Sequence, residues 1–243
     1  MKILILIVSI MLTLNVNANG PIEFVVTAAA GGSNDTVTRR LIEKLENNSS
    51  LKFVALNKPG AAHVIGYNYV FNNSKPVLII STPEITRHEG YSKLDEVYTL
   101  GHFSNTLFVS EKSGINNFKQ FINLSKTREI NFGHGGVGTY SYQAMQIVCE
   151  KTLRCLEIGY KGGAQGLLGI MSGEIDTYAI TTYGSTHLFE NDKLVPIHNV
   201  EFLKDNSWVK LFAKNISQKN KEIILNVLKS QDRKFYTDMG FEK

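Results

Sequence analysis

Two stretches of the chain set glycines between a β-rich run and a helix-like run, and both have the makings of an anion site. In Ala28-Ala29-Ala30-Gly31-Gly32-Ser33-Asn34-Asp35, two glycines let the backbone approach a ligand with no Cβ in the way. Gly133-His134-Gly135-Gly136-Val137-Gly138-Thr139 does the same, with Thr139 as a helix N-cap and hydroxyl donor. The first amides of a helix lack intrahelical acceptors and the helix dipole favours negative charge there, so the expected guest is a carboxylate held between two such starts. The alternative for either loop taken alone is that its glycines only make a tight strand-to-helix turn.

Other chemistry is hard to find. Gly136-Val137-Gly138-Thr139-Tyr140-Ser141, with Glu157 farther on, imitates a dinucleotide fingerprint, but Ser141 stands where the third glycine should be. The histidines His63, His88, His102, His134, His187 and His198 form no HExxH or His-x-His pair, and there is no GxSxG elbow or Walker lysine. No catalytic residue, metal or cofactor is therefore expected. Ser33 and Ser141 read as helix-start hydroxyls. His134 either touches ligand or is a solvent-exposed loop histidine; Asp176 and Lys161 are expected to pair structurally, and Trp208 to sit in the core.

The elements that must position these loops alternate along the chain. Strands are expected over 22–27, 51–56, 77–81, 106–110, 130–133, 154–158, 176–181, 194–198 and 208–213. Helices are expected from 31–33 onward and over 62–71, 118–125, 139–150, 162–171, 218–229 and 232–239. Alternation of this kind means helix-covered, mostly parallel sheets, an α/β fold. Two glycine-loop units with no Pro- or Ser-rich linker between them point to two similar lobes joined by ordinary strands, with the C-terminal helices returning to the first lobe.

Ahead of these lies Met1-Lys2, an apolar run from Ile3 to Leu14, and Val16-Asn17-Ala18. This reads as a secretory signal cleaved after Ala18. The alternative, a membrane anchor, is disfavoured by a run shorter than the roughly 17–25 residues needed to span. In an oxidising compartment Cys149 and Cys155 are expected to bond, the alternative being two separately buried thiols. A chain of 243 residues with 26 Lys+Arg against 22 Asp+Glu, a net +4, has no run of five like charges, so a nucleic-acid partner is not expected. Export also removes the chain from the nicotinamide pool.

With these segments in view the chain resembles the periplasmic substrate-binding proteins of tripartite tricarboxylate transporters, the Bug-type receptors. The resemblance runs from about Pro21 to the C-terminus. It rests on Pro21-Ile22 to Val26 followed by Ala30-Gly31-Gly32-x-x-Asp35, then on Asn57-Lys58-Pro59-Gly60-Ala61 through Ile65-Gly66. Phe132-Gly133 with Gly136-x-Gly138-Thr139 continues it, then Tyr160-Lys161-Gly162-Gly163-Ala164 with Gly173-Glu174-Ile175-Asp176, and finally Trp208 with Leu211-Phe212-Ala213. The resemblance implies a two-lobed, type II Venus-flytrap binding protein. It would capture a small organic carboxylate (a di- or tricarboxylate, an amino acid or an aromatic acid) and deliver it to membrane permease subunits. By position it implies ligand contacts at Ala30, Gly31, Gly32, Ser33 and Asp35 from the first lobe, and at Gly138, Thr139 and Tyr140 from the second, with Tyr160 and Gly162 at the cleft floor; the His134 contact is read from its place in the loop alone. Ala28, His134, Tyr142 and Gln165 depart from the family's usual Pro, Ser, His and Pro, and the segment between Ser81 and Leu100 is short. The expected organisation is a signal peptide over 1–18, a first lobe of 19–104 plus 203–243, and a second lobe of 105–202. The rival reading is an exported α/β enzyme or sensor using the same loops.

Overall fold

The computed structural model describes residues 20–152, 154–185, 193–197, 200 and 207–242; the expected leader and its cleavage point lie outside them. No helix among the described residues is long and apolar enough to cross a membrane. The order in the first part is β1 (Ile22–Val26), α1 (Ser33–Asn47), β2 (Phe53–Asn57), α2 (Val64–Asn72), β3 (Val77–Ser81), two short 3-10 segments (Pro83–Arg87 and Glu89–Lys93) and β4 (Asp95–Phe103). Then follow β5 (Asn105–Ser110), α3 (Phe118–Thr127), β6 (Ile130–His134), α4 (Tyr140–Cys149), β7 (Cys155–Gly159), α5 (Gly163–Ser172), β8 (Thr177–Thr181) and β9 (Leu194–Ile197). The chain ends with β10 (Ser207–Lys214), α6 (Gln218–Lys229) and α7 (Arg233–Thr237).

Local sequence accounts for most of these. Apart from Glu23 and Ser81, β1 and β3 are apolar without alternation, and both are buried at every position, as strands covered on both faces must be. α1 buries Val37, Leu41 and Leu45, a stripe at helical spacing. Ser217 caps α6, which buries Ile224, Val227 and Leu228.

The strands form two sheets with one topology, β2-β1-β3-β10-β4 and β7-β6-β8-β5-β9. Within each, the first three strands pair in parallel and the fourth pairs antiparallel with both neighbours. One strand per sheet therefore runs against the other four, and it is the strand that arrives from the opposite sheet. β5 enters directly from β4 across Ser104, and β10 returns after β9. Helices cover both faces: α1 and α6 pack with Leu78, Ile80 and Leu211 on one face of the first sheet, and α2 packs with Val25, Ile79 and Phe212 on the other. In the second sheet Phe132 packs with Phe121 of α3 and Met145 and Val148 of α4, while Phe108 packs with Leu167 and Ile170 of α5 on the opposite face.

Three details differ from expectation. β4 is an additional strand, at the edge of its sheet, with exposed Asp95 and Glu96 at its start. Asp176 pairs with Arg128, not Lys161, and also accepts the Asn131 amide at 2.8 Å. Trp208 is half-buried beneath the Lys210 ammonium, 4.7 Å from the ring centre. Cys149 at the end of α4 and Cys155 at the start of β7 are bonded, with Cα atoms 5.6 Å apart.

Candidate functional site

A cavity of about 490 Å³ lies between the sheets, walled by the loops that leave the C-terminal ends of β1, β2 and β3 on one side and of β6, β7 and β8 on the other. Open α/β sheets place their binding crevices at this edge, because helices begin there.

At the first glycine loop, the Gly31 amide donates to Asp35 at 2.9 Å and the Gly32 amide to the Ala29 carbonyl at 3.1 Å. Gly32 is the N-cap of α1 and brings no side-chain cap, and it lines the cavity together with Ser33 and Asn34 of the helix's first turn. The Asn34 side chain is fully engaged, donating to Thr27 at 3.1 Å and accepting the Tyr183 hydroxyl at 2.6 Å. α2 begins in an unusual way. Ala61, Ala62 and His63 are consecutive non-glycine residues in the left-handed region, with φ 46°, 48° and 76°. A conformation this costly for L-residues persists where the surroundings impose it, typically at binding sites. All three line the cavity, and α2 also starts without a side-chain cap.

The opposite wall is built differently. Thr139 caps α4, accepting the Tyr142 amide at 3.2 Å while donating to the Gly136 carbonyl at 2.7 Å. Ser141 accepts the Gly135 amide at 2.9 Å, so both helix-start hydroxyls are engaged within the chain. α5 starts at Gly162 with no side-chain cap, and a Cβ on Gly162 would lie 3.9 Å from that of Ala29 across the cleft. Gly138 approaches Ala62 equally closely, with a Cβ there 3.9 Å from the alanine's. Three uncapped helix starts, of α1, α2 and α5, thus converge on one space.

The anticipated residues divide. Gly32, Ser33, Thr139, Tyr140, Tyr160 and Gly162 form part of the wall, and Ala30, Gly31, Asp35, His134 and Gly138 do not. Asp35 lies behind the first loop, accepting from Gly31, from Arg39 at 3.0 Å and from Asn57 at 2.9 Å. Burial alone would raise its carboxyl, but these donors outweigh burial and hold it below the usual aspartate value. His134 is not part of the cavity wall and is not solvent-exposed. It is 5% exposed, its Nδ1 accepts the Gly136 amide at 3.0 Å, and its ring stands edge-on to Tyr142. Burial pushes its pKa down, more strongly than Glu157 raises it, which keeps Nδ1 free to accept. Tyr140 gives its hydroxyl to Ser207 at 3.2 Å, spanning the two sheets. The buried Tyr160 hydroxyl lies toward Gly169 and contributes no hydrogen bond to the wall.

Sequence reading missed Thr82, Glu84 and His63. The Thr82-Pro83-Glu84 segment follows directly on the fully buried β3, a position that leads off a sheet's C-terminal edge and was the one available signal. Among the described residues no cluster of His, Cys, Asp and Glu could hold a metal ion.

The sequence profile described as "Tripartite tricarboxylate transporter family receptor" matches residues 37–200, more than half of the chain. The chain belongs to this receptor family. A UPF0065 protein of Bordetella pertussis is similar to the receptor at 23% identity over 181 residues, covering 68% of this chain and 55% of the relative, so the chain spans about half the length of the curated relative it matches. Among solved structures, the periplasmic binding protein BugD resembles it with a TM-score of 0.74 at 20% identity, over 90% of this receptor and 86% of BugD. MatC from Rhodopseudomonas palustris, solved with bound malate, gives a TM-score of 0.74 at 17% identity over 90% and 88% of the two chains. The receptor therefore has the two-lobed α/β fold of periplasmic binding proteins, and its family is one of solute receptors.

Proposed function

We propose that this receptor captures a small organic carboxylate between its lobes and hands it to the membrane permease of a tripartite tricarboxylate-type transporter. One observation carries this reading: the N-cap residues of three helices that lack side-chain caps, Gly32 of α1, His63 of α2 and Gly162 of α5, line a single cavity between the sheets. Unpaired amides aligned with helix dipoles favour a negative guest, and charge-assisted bonds to a carboxylate are stronger than neutral ones. The malate bound by MatC supports the ligand class. In this reading the chain is exported, Ala18 ends its leader, and residues 19–104 with 203–243 close against residues 105–202 around the ligand. Closure is favoured only as far as the ligand binds the closed form better.

Calorimetry against di- and tricarboxylates, amino acids and aromatic acids tests it, with a thermal shift alongside. At a hundredfold excess over Kd the bound form gains about 2.7 kcal/mol, a clear rise in Tm. Gly32→Val should weaken that binding at least tenfold with little change in the unliganded Tm, since its Cβ would already stand 3.2 Å from the Ala29 carbonyl and its branches would enter the cavity. Wild-type affinity in this variant, or no carboxylate bound by the wild type, removes the site.

A further inference from the structure

Glu84 is out of place in a pocket made for anions. It lines the cavity, is only 6% exposed, and has an oxygen, Oε1, with no hydrogen-bond partner among the described residues. Its other oxygen accepts the Thr82 hydroxyl. A buried carboxyl oxygen left without a donor costs stability unless something arrives to supply one.

The lobes approach each other at two places along the cavity: Ala29 faces Gly162, by the starts of α1 and α5, and Ala62 faces Gly138, by the start of α2 and the loop before α4. The Glu84 carboxyl lies within electrostatic range of His63, the residue that opens α2, and faces the Tyr140 amide. Burial raises the Glu84 carboxyl above its ordinary value, and the Thr82 hydroxyl, the Tyr140 amide, His63 and Arg87 only partly offset that rise, so an arriving ammonium is the partner that would favour its ionised form. A second ligand carboxylate placed beside Oε1 would meet like charge.

We propose that Glu84 is the specificity residue of this pocket, and that Oε1 accepts a hydrogen bond from the ammonium group of an amino-acid ligand whose carboxylate lies at the starts of α1 and α5. The assignment rests on the carboxylate-receptor reading above and narrows its ligand from organic acids in general to zwitterions. A dipolar guest satisfies both demands at once: amides meet its carboxylate, and a buried carboxylate meets its ammonium.

Matched pairs that differ in the amino group test it: L-aspartate with succinate, L-glutamate with glutarate, and L-alanine with propionate, each titrated calorimetrically into the wild-type receptor and into Glu84→Gln at pH 7. The expected result is at least a tenfold preference of the wild type for the amino member of a pair. Glu84→Gln, nearly the same shape, should lose tenfold or more for that member and bind the partner without the amino group as well or better. The wild-type preference needs no variant, so a Glu84→Gln that fails to fold still leaves the inference decided. A wild-type preference for the members lacking the amino group overturns it while leaving the carboxylate reading standing. Glu84→Gln weakening both members equally also overturns it, by making the residue structural. A wild-type protein that binds no member of any pair removes the carboxylate reading and this inference together.

Discussion

Asp35 collects three donors behind the first glycine loop: the Gly31 amide, the Arg39 guanidinium and the Asn57 side chain. Asn57 also donates to the Ala28 carbonyl at 3.1 Å, so one carboxylate ties the loop to the end of β2 and fixes where α1 begins. Because its folded pKa is depressed, the stabilisation it provides is complete above about pH 4 and is lost as the pH falls through the lower folded value. Asp35→Asn should therefore cost about 1–2 kcal/mol at neutral pH, in the range of hydrogen bonds to a charged group. Urea unfolding of both proteins at pH 7 and pH 3 checks this. The gap between them must narrow in acid, and a constant gap would show that the charge is irrelevant. Asp35 also shows what one sequence can and cannot reveal. The loop it serves is visible in the residue pattern, but whether a carboxylate faces the ligand or braces the backbone depends on Asn57, which joins it only after β1 and β2 have paired. Glu84 was hidden more deeply, since its burial requires elements from both lobes.

At the scale of elements, α2 is short, strained at its entry and uncapped there, so its exit matters. Lys214 at the end of β10 donates to the carbonyls of Val70, Phe71 and Asn73 at 3.3, 2.7 and 2.7 Å. A cation at a helix C-terminus satisfies its last carbonyls and complements its dipole. Lys214→Met keeps the aliphatic stem and removes those bonds, and should cost about 1–2 kcal/mol. Hydrogen exchange then locates the loss: amides of α2 should exchange faster while those of α4 and α5 keep their protection, and uniform loosening would refute the assignment. The strands and helices with strong local patterns, such as β3 and α6, could be read directly. β4 could not, because an edge strand that opens on exposed acids and is bent by register shifts against β10 lacks the regular alternation that signals a strand.

At the scale of the molecule, the two sheets are linked by more than their crossing strands. Ser104, between β4 and β5, donates its amide to the Thr182 hydroxyl at 3.2 Å and accepts the Thr182 amide at 2.8 Å. Immediately after β8 the chain leaves its own sheet: Tyr183 is buried in the core of the first lobe, edge-on to Phe103 and stacked on Phe241. The Tyr183 hydroxyl bonds to Asn34, and Thr181 donates to Ser33 at 3.3 Å, so this segment grips the start of α1, where the proposed ligand carboxylate sits. Gly184 makes the grip close. With φ +69°, it lies where a Cβ would come within 2.4 Å of the Ser33 carbonyl oxygen and 2.7 Å of its Cα. That contact is backbone against backbone and cannot be relieved by a rotamer change. Gly184→Ala should therefore push the segment off α1, misalign its first turn and hold the lobes apart. We expect a lower Tm, ligand affinity reduced tenfold or more, and faster ligand release. Small-angle scattering with saturating ligand should show a larger radius of gyration than the wild-type complex. If Gly184→Ala closes to the wild-type radius and binds normally, the contact between this segment and α1 does not set the cleft.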